Sequence, residues 1–419
     1  MPYKRRWWAV AAVGLSIFLS ALDATIVALA LPSMAHWFQL SESLTSLVIL
    51  SYTIPLTALI LPCGALIGRF RPLPTFLVAV LGFGLGSIIC GLATNFPLLI
   101  LGRVIQGSFG ALIGTQGLAL AAAVVAPHER GRAMGLIGSL APLGGIAGPG
   151  IGGQLLAHWS WQVVFFVNVP ICGLAALLGL FSLRGVSLGE RRPDAGSGFR
   201  HMAMLLRRWS FFWGLMGFLS TVTIAGALYY LLPFDLSDVQ HLTPSTAGLI
   251  LLCMPLGMGV VGLLGGYLTD RYGARPFTLT GSGLVLVGVL LLSLVLVHPT
   301  SVFDLTWRLL LVGIGMGLFN GPNQTLLMSA GTKETMGAAS ALSNLSARLG
   351  SVFGPLLLSI IWSFLPGSTL HMSAGGVVFV ALAVLSVLCA WLVRPQPSYN
   401  PAKTGSAPST RESLARQEE

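Results

Sequence analysis

Along this chain apolar residues run almost unbroken for about 20 positions at a time and then give way to short polar segments, a pattern of neither strand alternation nor amphipathic helices. Each run, at about 1.5 Å per residue, is long enough to cross a hydrocarbon core of roughly 30 Å as a helix. Twelve such runs stand out, at residues 7–30, 44–67, 74–94, 97–121, 133–156, 162–183, 209–232, 246–269, 276–297, 305–327, 337–361 and 373–393. In lipid a helix satisfies its own backbone, so the expected fold is an all-α polytopic membrane protein. The first run follows Lys4, Arg5 and Arg6, and Ala28-Leu29-Ala30 mimics a signal-peptidase site, but its length marks a retained helix.

Composition agrees: 54% of residues are hydrophobic, only 9% are charged, and mean hydropathy is +0.84. A net charge of +10 would suit a nucleic-acid binder, yet the positions of the basic residues argue against one. All but three of the 23 Lys and Arg fall at the N-terminus, in every second loop or in the C-terminal tail. By the positive-inside rule both termini are then cytoplasmic, in a cytoplasmic (inner) membrane, and the even helix count agrees. The exceptions, Arg103, Arg308 and Arg348, lie within predicted helices. Five cysteines sit in apolar runs without paired spacing, so neither a disulfide framework nor a metal site is indicated.

The chain also repeats itself with a period of about 200 residues, as a duplicated transporter half would. Pro32 matches Pro233, Pro55 matches Pro255, Gly64 to Arg69 matches Gly266 to Arg271, Arg103 matches Arg308, and Gly148-Pro149 matches Gly354-Pro355. The expected organisation is two pseudo-symmetric six-helix bundles, over 1–183 and 209–394. A flexible basic cytoplasmic linker over 184–208 joins them, and a disordered cytoplasmic tail over 395–419 follows. Parallel halves that rock about a central cavity suit alternating access.

Polar groups inside the runs are the candidate chemistry. Asp23 is read as the acid lying well inside a helix, where a carboxylate is costly unless paired, wetted or protonated, so it is the candidate for proton coupling and substrate contact. Arg103 lies at a similar depth, roughly 10 Å below the outer surface, and is its expected partner. Protonating Asp23 would release Arg103. Arg348, near the middle of the eleventh run, is too deep to snorkel and is expected to face a cavity that is net positive, favouring an anionic, zwitterionic or neutral substrate. Gln106, Gln116, Asn320, Asn323, Gln324 and Asn344 are further candidates for the substrate path. Gly144, Gly148 and Gly152, with Pro142 and Pro149, make a smooth, bent face on the fifth helix. That face suits either a moving contact with the other half or ordinary packing. His36, His158, His241, His298 and His371 read as polar helix ends, and no nucleophile–base pair, metal cluster or phosphate loop suggests an enzyme or a cofactor.

Four segments resemble the signatures of the major facilitator superfamily, and of its fourteen-helix drug–proton antiporters in particular. They are Leu22-Asp23-Ala24-Thr25 through Pro32, Arg103-Val104-Ile105-Gln106-Gly107, Pro142 through Gly153, and Trp161 to Pro170 with its Asn168-Val169-Pro170 end. The resemblance covers residues 7–394, although two extra helices of that branch are missing here. It implies a monomeric, proton-coupled antiporter exporting a small amphiphilic drug or organic metabolite, with protons, a small-molecule substrate and the bilayer as partners. A proton-coupled importer, a lipid flippase and a non-transporting sensor are the rival readings. The family's loop motif is degenerate around Arg69, where Gly68 and Arg71 replace its acid and glycine, but intact from Gly266 to Arg275. The resemblance therefore assigns a cytoplasmic latch mainly to Asp270, Arg271 and Arg275.

Overall fold

The computed structural model describes residues 3–66, 70–126, 129–186, 195–296, 298–330, 335–365 and 367–393, and each of the twelve apolar runs is helical in it. The first half comprises α1 (Tyr3–Phe38), α2 (Glu42–Leu66), α3 (Pro72–Gly91), α4 (Phe96–Val124), α5 (Arg130–His158) and a broken sixth span, α6 (Val163–Phe166) with α7 (Asn168–Ser182). The second half comprises α9 (Trp209–Phe234), α10 (Pro244–Tyr272), α11 (Ala274–Ser293), α12 (Val302–Ser329), α13 (Met336–Phe364) and α14 (Ser368–Leu392). Among the described residues, eleven spans are long and apolar enough to cross a membrane; the glycine-rich α5 is the span outside that set. The break in the sixth span follows from Pro170, which has no N–H to offer the carbonyl one turn earlier.

Three boundaries differ from the hydropathy reading. α1 continues through Pro32 to Phe38. α9 runs past Pro233 into a π turn, Asp235–Val239, which carries Asp235 into the bundle. The basic linker contains a further helix, α8 (Ala195–Leu206), through the stretch read as flexible. Its Leu205 is fully buried, with Phe211, Leu327 and Ala339 in the same cluster, and that docking stabilises a helix with a poor glycine-rich start. The tail over 395–419, Arg69 and the linker residues 187–194 lie outside the described residues.

The two loop motifs turn differently. After α10 the chain reverses on Gly273 at φ 84°, a left-handed conformation that favours glycine. At the corresponding place Arg71 adopts φ −65° and ψ 132°, and Pro72 opens α3 as its first residue.

Corresponding helices cross in the same way in both halves. A Cβ on Gly144 would stand 2.5 Å from the Phe18 carbonyl of α1, and one on its counterpart Gly350 would stand 3.0 Å from Thr223 N of α9. Gly107 meets the Tyr52 backbone as Gly313 meets that of Met254. At one end of the bundle Arg5 Nη2 donates to the Arg184 carbonyl at 2.7 Å, and Trp209 Nε1 to the Leu392 carbonyl at 2.9 Å. The start of α1, the end of α7, the start of α9 and the end of α14 thus share this terminal end. The opposite end is called distal. Large apolar side chains such as Leu81, Leu85, Val260, Val377 and Trp391 face outward, as lipid-facing positions do.

Candidate functional site

The first half encloses a polar cluster whose principal side chains are at most 1% exposed. Arg103 and Gln106 are three residues apart and therefore share one face of α4. Arg103 Nη1 meets Asp23 Oδ2 of α1 at 2.7 Å and Gln106 Oε1 at 2.9 Å, while its Nε donates to the Val48 carbonyl of α2 at 3.0 Å. Asp23 Oδ1 accepts from Asn168 Nδ2 at 2.7 Å and from Gln106 Nε2 at 3.3 Å. Gln106 Nε2 also donates to Ser87 of α3 at 2.7 Å. Gln106 reaches Ser87 across Gly86, where a Cβ would stand 2.7 Å from Gln106 Cγ.

Three of the four signature segments thus converge on one carboxylate. The cluster joins α1, α2, α3, α4 and α7. A fully desolvated ion pair of this kind contributes little net stability, but breaking it by removing one partner is costly, so it specifies one arrangement of the helices.

The guanidinium of Arg103 lies 4.3 Å from the ring centroid of Tyr52, whose hydroxyl shares a 3.0 Å hydrogen bond with Ser20. The Tyr52 ring also lines a cavity of about 240 Å³ at the centre of the molecule. α1, α2, α4 and α5 form most of its wall, and α13 contributes Arg348 and Ser351. Arg348 reaches across from the second half to within 3.8 Å of the Cβ position of Gly114.

At the distal end the halves are tied together. Glu42 meets His371 at 2.7 Å, Ser46 donates to Ser359 at 2.9 Å, and Gln154 donates to Ser245 at 2.8 Å. Tyr230 donates to the Glu42 carbonyl. The α5 glycines divide their work according to the helical period. Gly144, Gly148 and Gly152 face α1 within their own half, whereas Gly153 and the Pro149 carbonyl meet Gly248 of α10 in the other. Pro142 lies inside α5 one residue beyond Ala141, which lines the cavity.

The other residues singled out in the sequence are dispersed. Gln116 is buried and reaches the Thr75 carbonyl at 3.5 Å; Asn323 is buried against the Gly214 carbonyl at 3.1 Å. Asn344 is exposed and bonds its own helix at 3.0 Å. Asn320 keeps a buried Oδ1 without a partner among the described residues, and Gln324 is half-buried. Of the substrate candidates, Arg348 is the one on the cavity wall; Asp23 and Gln106 are one layer behind it. In the loop motif Arg271 is exposed beside Tyr272, and Arg275 has a buried Nε without a partner among the described residues. The Asp270 side chain lies outside the described residues.

Several residues of interest were overlooked in the sequence. Asn168 was visible within its motif, but nothing pointed its amide at Asp23. Tyr52 and Ser87 looked like ordinary members of apolar runs. Asp235 is 0% exposed and, among the described residues, is paired with no basic side chain, so Asp23 is not the sole acid buried in a span. The symmetry also breaks at the pair itself: Ile224 stands at the counterpart of Asp23, and Arg308 takes Asp304 from its own helix at 2.9 Å.

Two six-helix halves closed at one end around a central cavity define a multi-pass membrane transporter. The family model of the Major Facilitator Superfamily matches residues 13–355 and 235–417, and the chain belongs to that family of transporters, which are not enzymes. It is 26% identical to the riboflavin transporter RibZ of Clostridioides difficile, over 84% of this chain and 88% of that one. It is 29% identical to the multidrug resistance protein Stp of Mycobacterium tuberculosis H37Rv, over 86% of this chain and 76% of that one. It is 26% identical to the tetracenomycin C resistance and export protein of Streptomyces glaucescens, over 85% and 76% respectively. The fold superimposes on a D-xylose–proton symporter with a TM-score of 0.77 at 15% identity, covering 93% of this chain and 98% of that one. It superimposes equally on an inward-facing bacterial homologue of the lysosomal transporter Spinster, with a TM-score of 0.76 at 16% identity, covering 95% and 100%.

Proposed function

We propose that this chain is a proton-coupled antiporter that expels a small amphiphilic molecule by alternating access. The Asp23–Arg103 pair carries the reading: an acid sealed from water, 2.7 Å from its arginine, in contact through Arg103 with the tyrosine that lines the cavity. An intramembrane carboxylate whose partner can be released by protonation is a means of carrying a proton through the cycle. When Asp23 is protonated, the charge that holds Arg103 to α1 is gone, and Arg103 keeps its hydrogen bond to α2.

α2 gives that event its reach. Glu42, Ser43 and Ser46 at its start belong to the distal closure, the Val48 carbonyl holds Arg103, and Tyr52, Thr53, Leu56 and Thr57 line the cavity. These stations extend over about 20 Å of one helix. A tilt of α2 therefore links proton binding, cavity shape and closure. With the basic terminal end in the cytoplasm, the distal end is the outer one and this state faces inward. Export is favoured by relatives named for resistance and export; the riboflavin transporter among them supports a metabolite carrier as the second reading.

Everted vesicles holding a proton gradient and a pH-sensitive dye test the proposal. Substrate-dependent collapse of the gradient is expected in the wild type and not in Asp23→Asn. A folded Asp23→Asn protein that still collapses it would remove the coupling role. Proton-driven accumulation in right-side-out vesicles would make the chain an importer.

A further inference from the structure

We propose that the cavity selects an organic anion, an amphiphile with a carboxylate or similar deprotonated oxygen, and that Arg348 is its anchor. The inference rests on reading the cavity as the transport site. Arg348 lines the cavity from α13, and among the described residues its guanidinium has no hydrogen bond and no counter-ion. Among the described residues no acid lines the wall. The nearest acid in sequence to a lining residue, Asp23 beside Ala24, has both oxygens taken by Arg103, Gln106 and Asn168 and is 0% exposed. The wall therefore carries one uncompensated positive charge.

The hydroxyls around it sharpen the selectivity. Thr53 donates to the Ile49 carbonyl at 3.0 Å, Thr57 to the Thr53 carbonyl at 2.7 Å, and Ser351 to the Ala347 carbonyl at 3.0 Å, so each spends its proton on its own helix. Ser20 and Tyr52 share one hydrogen bond, which leaves a single hydroxyl proton free between them. What the cavity offers a guest is thus the fork of Arg348 N–H groups and that one proton, a set of donors suited to an anionic oxygen. A lipophilic cation would meet an unscreened like charge. The arrangement also spans the halves: Arg348 belongs to the second, and Ser20 and Tyr52 to the first, so an anion held by both would bridge the elements that move.

Equilibrium binding to the purified full chain, without a proton gradient, tests this separately from transport. The probes are 4-pyrenebutyrate, 4-pyrenebutanol and a pyrenebutyl trimethylammonium of the same tail, followed by pyrene fluorescence. The butyrate is expected to bind at least about 10-fold more tightly than the butanol, and the ammonium more weakly than both. Arg348→Gln should bring the butyrate down to the butanol. Gly114→Asp, whose new side chain has room beside Arg348, should do the same by supplying the missing counter-ion. An ammonium that binds as well as the butyrate, or a preference for the butyrate that survives both substitutions, overturns the proposal. Anion-selective binding with no gradient-driven transport would instead sink the antiport reading and leave this inference standing.

Discussion

Glu42 of α2 and His371 of α14 join the two halves at the distal end, carboxylate Oε2 to ring Nδ1 at 2.7 Å. The other ring nitrogen, Nε2, lies 2.9 Å from the Leu365 carbonyl, which can only accept. Nε2 must then carry a hydrogen, and Nδ1 facing a carboxylate needs a further proton between them. The closed link therefore holds one proton more than a neutral imidazole and a free carboxylate. Trp362 of α13 stacks on the ring at 5.1 Å, Tyr230 of α9 sits on the Glu42 carbonyl, and His36 and Asp238 make a looser link nearby at 3.8 Å.

Each half supplies one partner of this link, so removing one partner should loosen this end. Spin labels at Leu44→Cys on α2 and Phe364→Cys on α13, both exposed positions, would report the separation. Distances are expected to lengthen in Glu42→Ala, which removes the carboxylate that meets His371 across the two halves. Glu42→Gln should stay closer to the wild type, because an amide can still hydrogen-bond to the ring Nδ1. A Glu42→Ala distribution that matches the wild type refutes the link.

The Asp23–Arg103 pair makes a second prediction. Asp23→Asn leaves a guanidinium at 1% exposure without a counter-ion and should cost about 3–5 kcal/mol of stability in detergent. Combining it with Arg103→Gln should recover part of the loss, since two neutral amides can still bond to Asn168, Ser87 and the Val48 carbonyl. A strictly additive double variant would show that the two side chains do not act as a pair in the folded protein.

The legible parts of this protein are those written in one dimension. Unbroken apolar runs gave the spans, and the depths of Asp23 and Arg103 along their helices placed them level. Partners set by helix rotation were not legible: Asn168 and Ser87 point into the cluster because of how α7 and α3 are turned, and hydropathy carries no such angle. Asp235 was missed because Pro233 and a following acid look like the end of a helix, whereas a π turn continues it inward. The α5 glycines looked like one surface, and the phase of the helix divides them between α1 and α10.

Gly107 is the hinge point of the packing that places Tyr52. Its Cβ position overlaps the Tyr52 backbone carbonyl, so Gly107→Ala must push α2 from α4 and should cost about 1–3 kcal/mol, seen as a lower melting temperature. Gly145→Ala, on a site with nothing within 4 Å among the described residues, is the matched control and should be neutral. Equal melting of the two variants would mean that α2 and α4 can separate freely at this crossing.

Asp235 supplies the last prediction, and its sign is opposite to that of Asp23. Its carboxylate is fully buried and, among the described residues, is paired with no basic side chain, so an ionised form would be an uncompensated charge. Asp235→Asn keeps the shape and removes the charge, and the melting temperature should hold or rise at neutral pH. Asp238→Asn, three residues on and partly exposed, removes only a link of 3.8 Å to His36 and should shift stability by less than about 1 kcal/mol. If instead Asp235→Asn loses more than about 1 kcal/mol, the carboxylate is bonded in the membrane to a group that satisfies it. The π turn would then hold a second polar site at the closed end, and the next variant to make would shorten that turn.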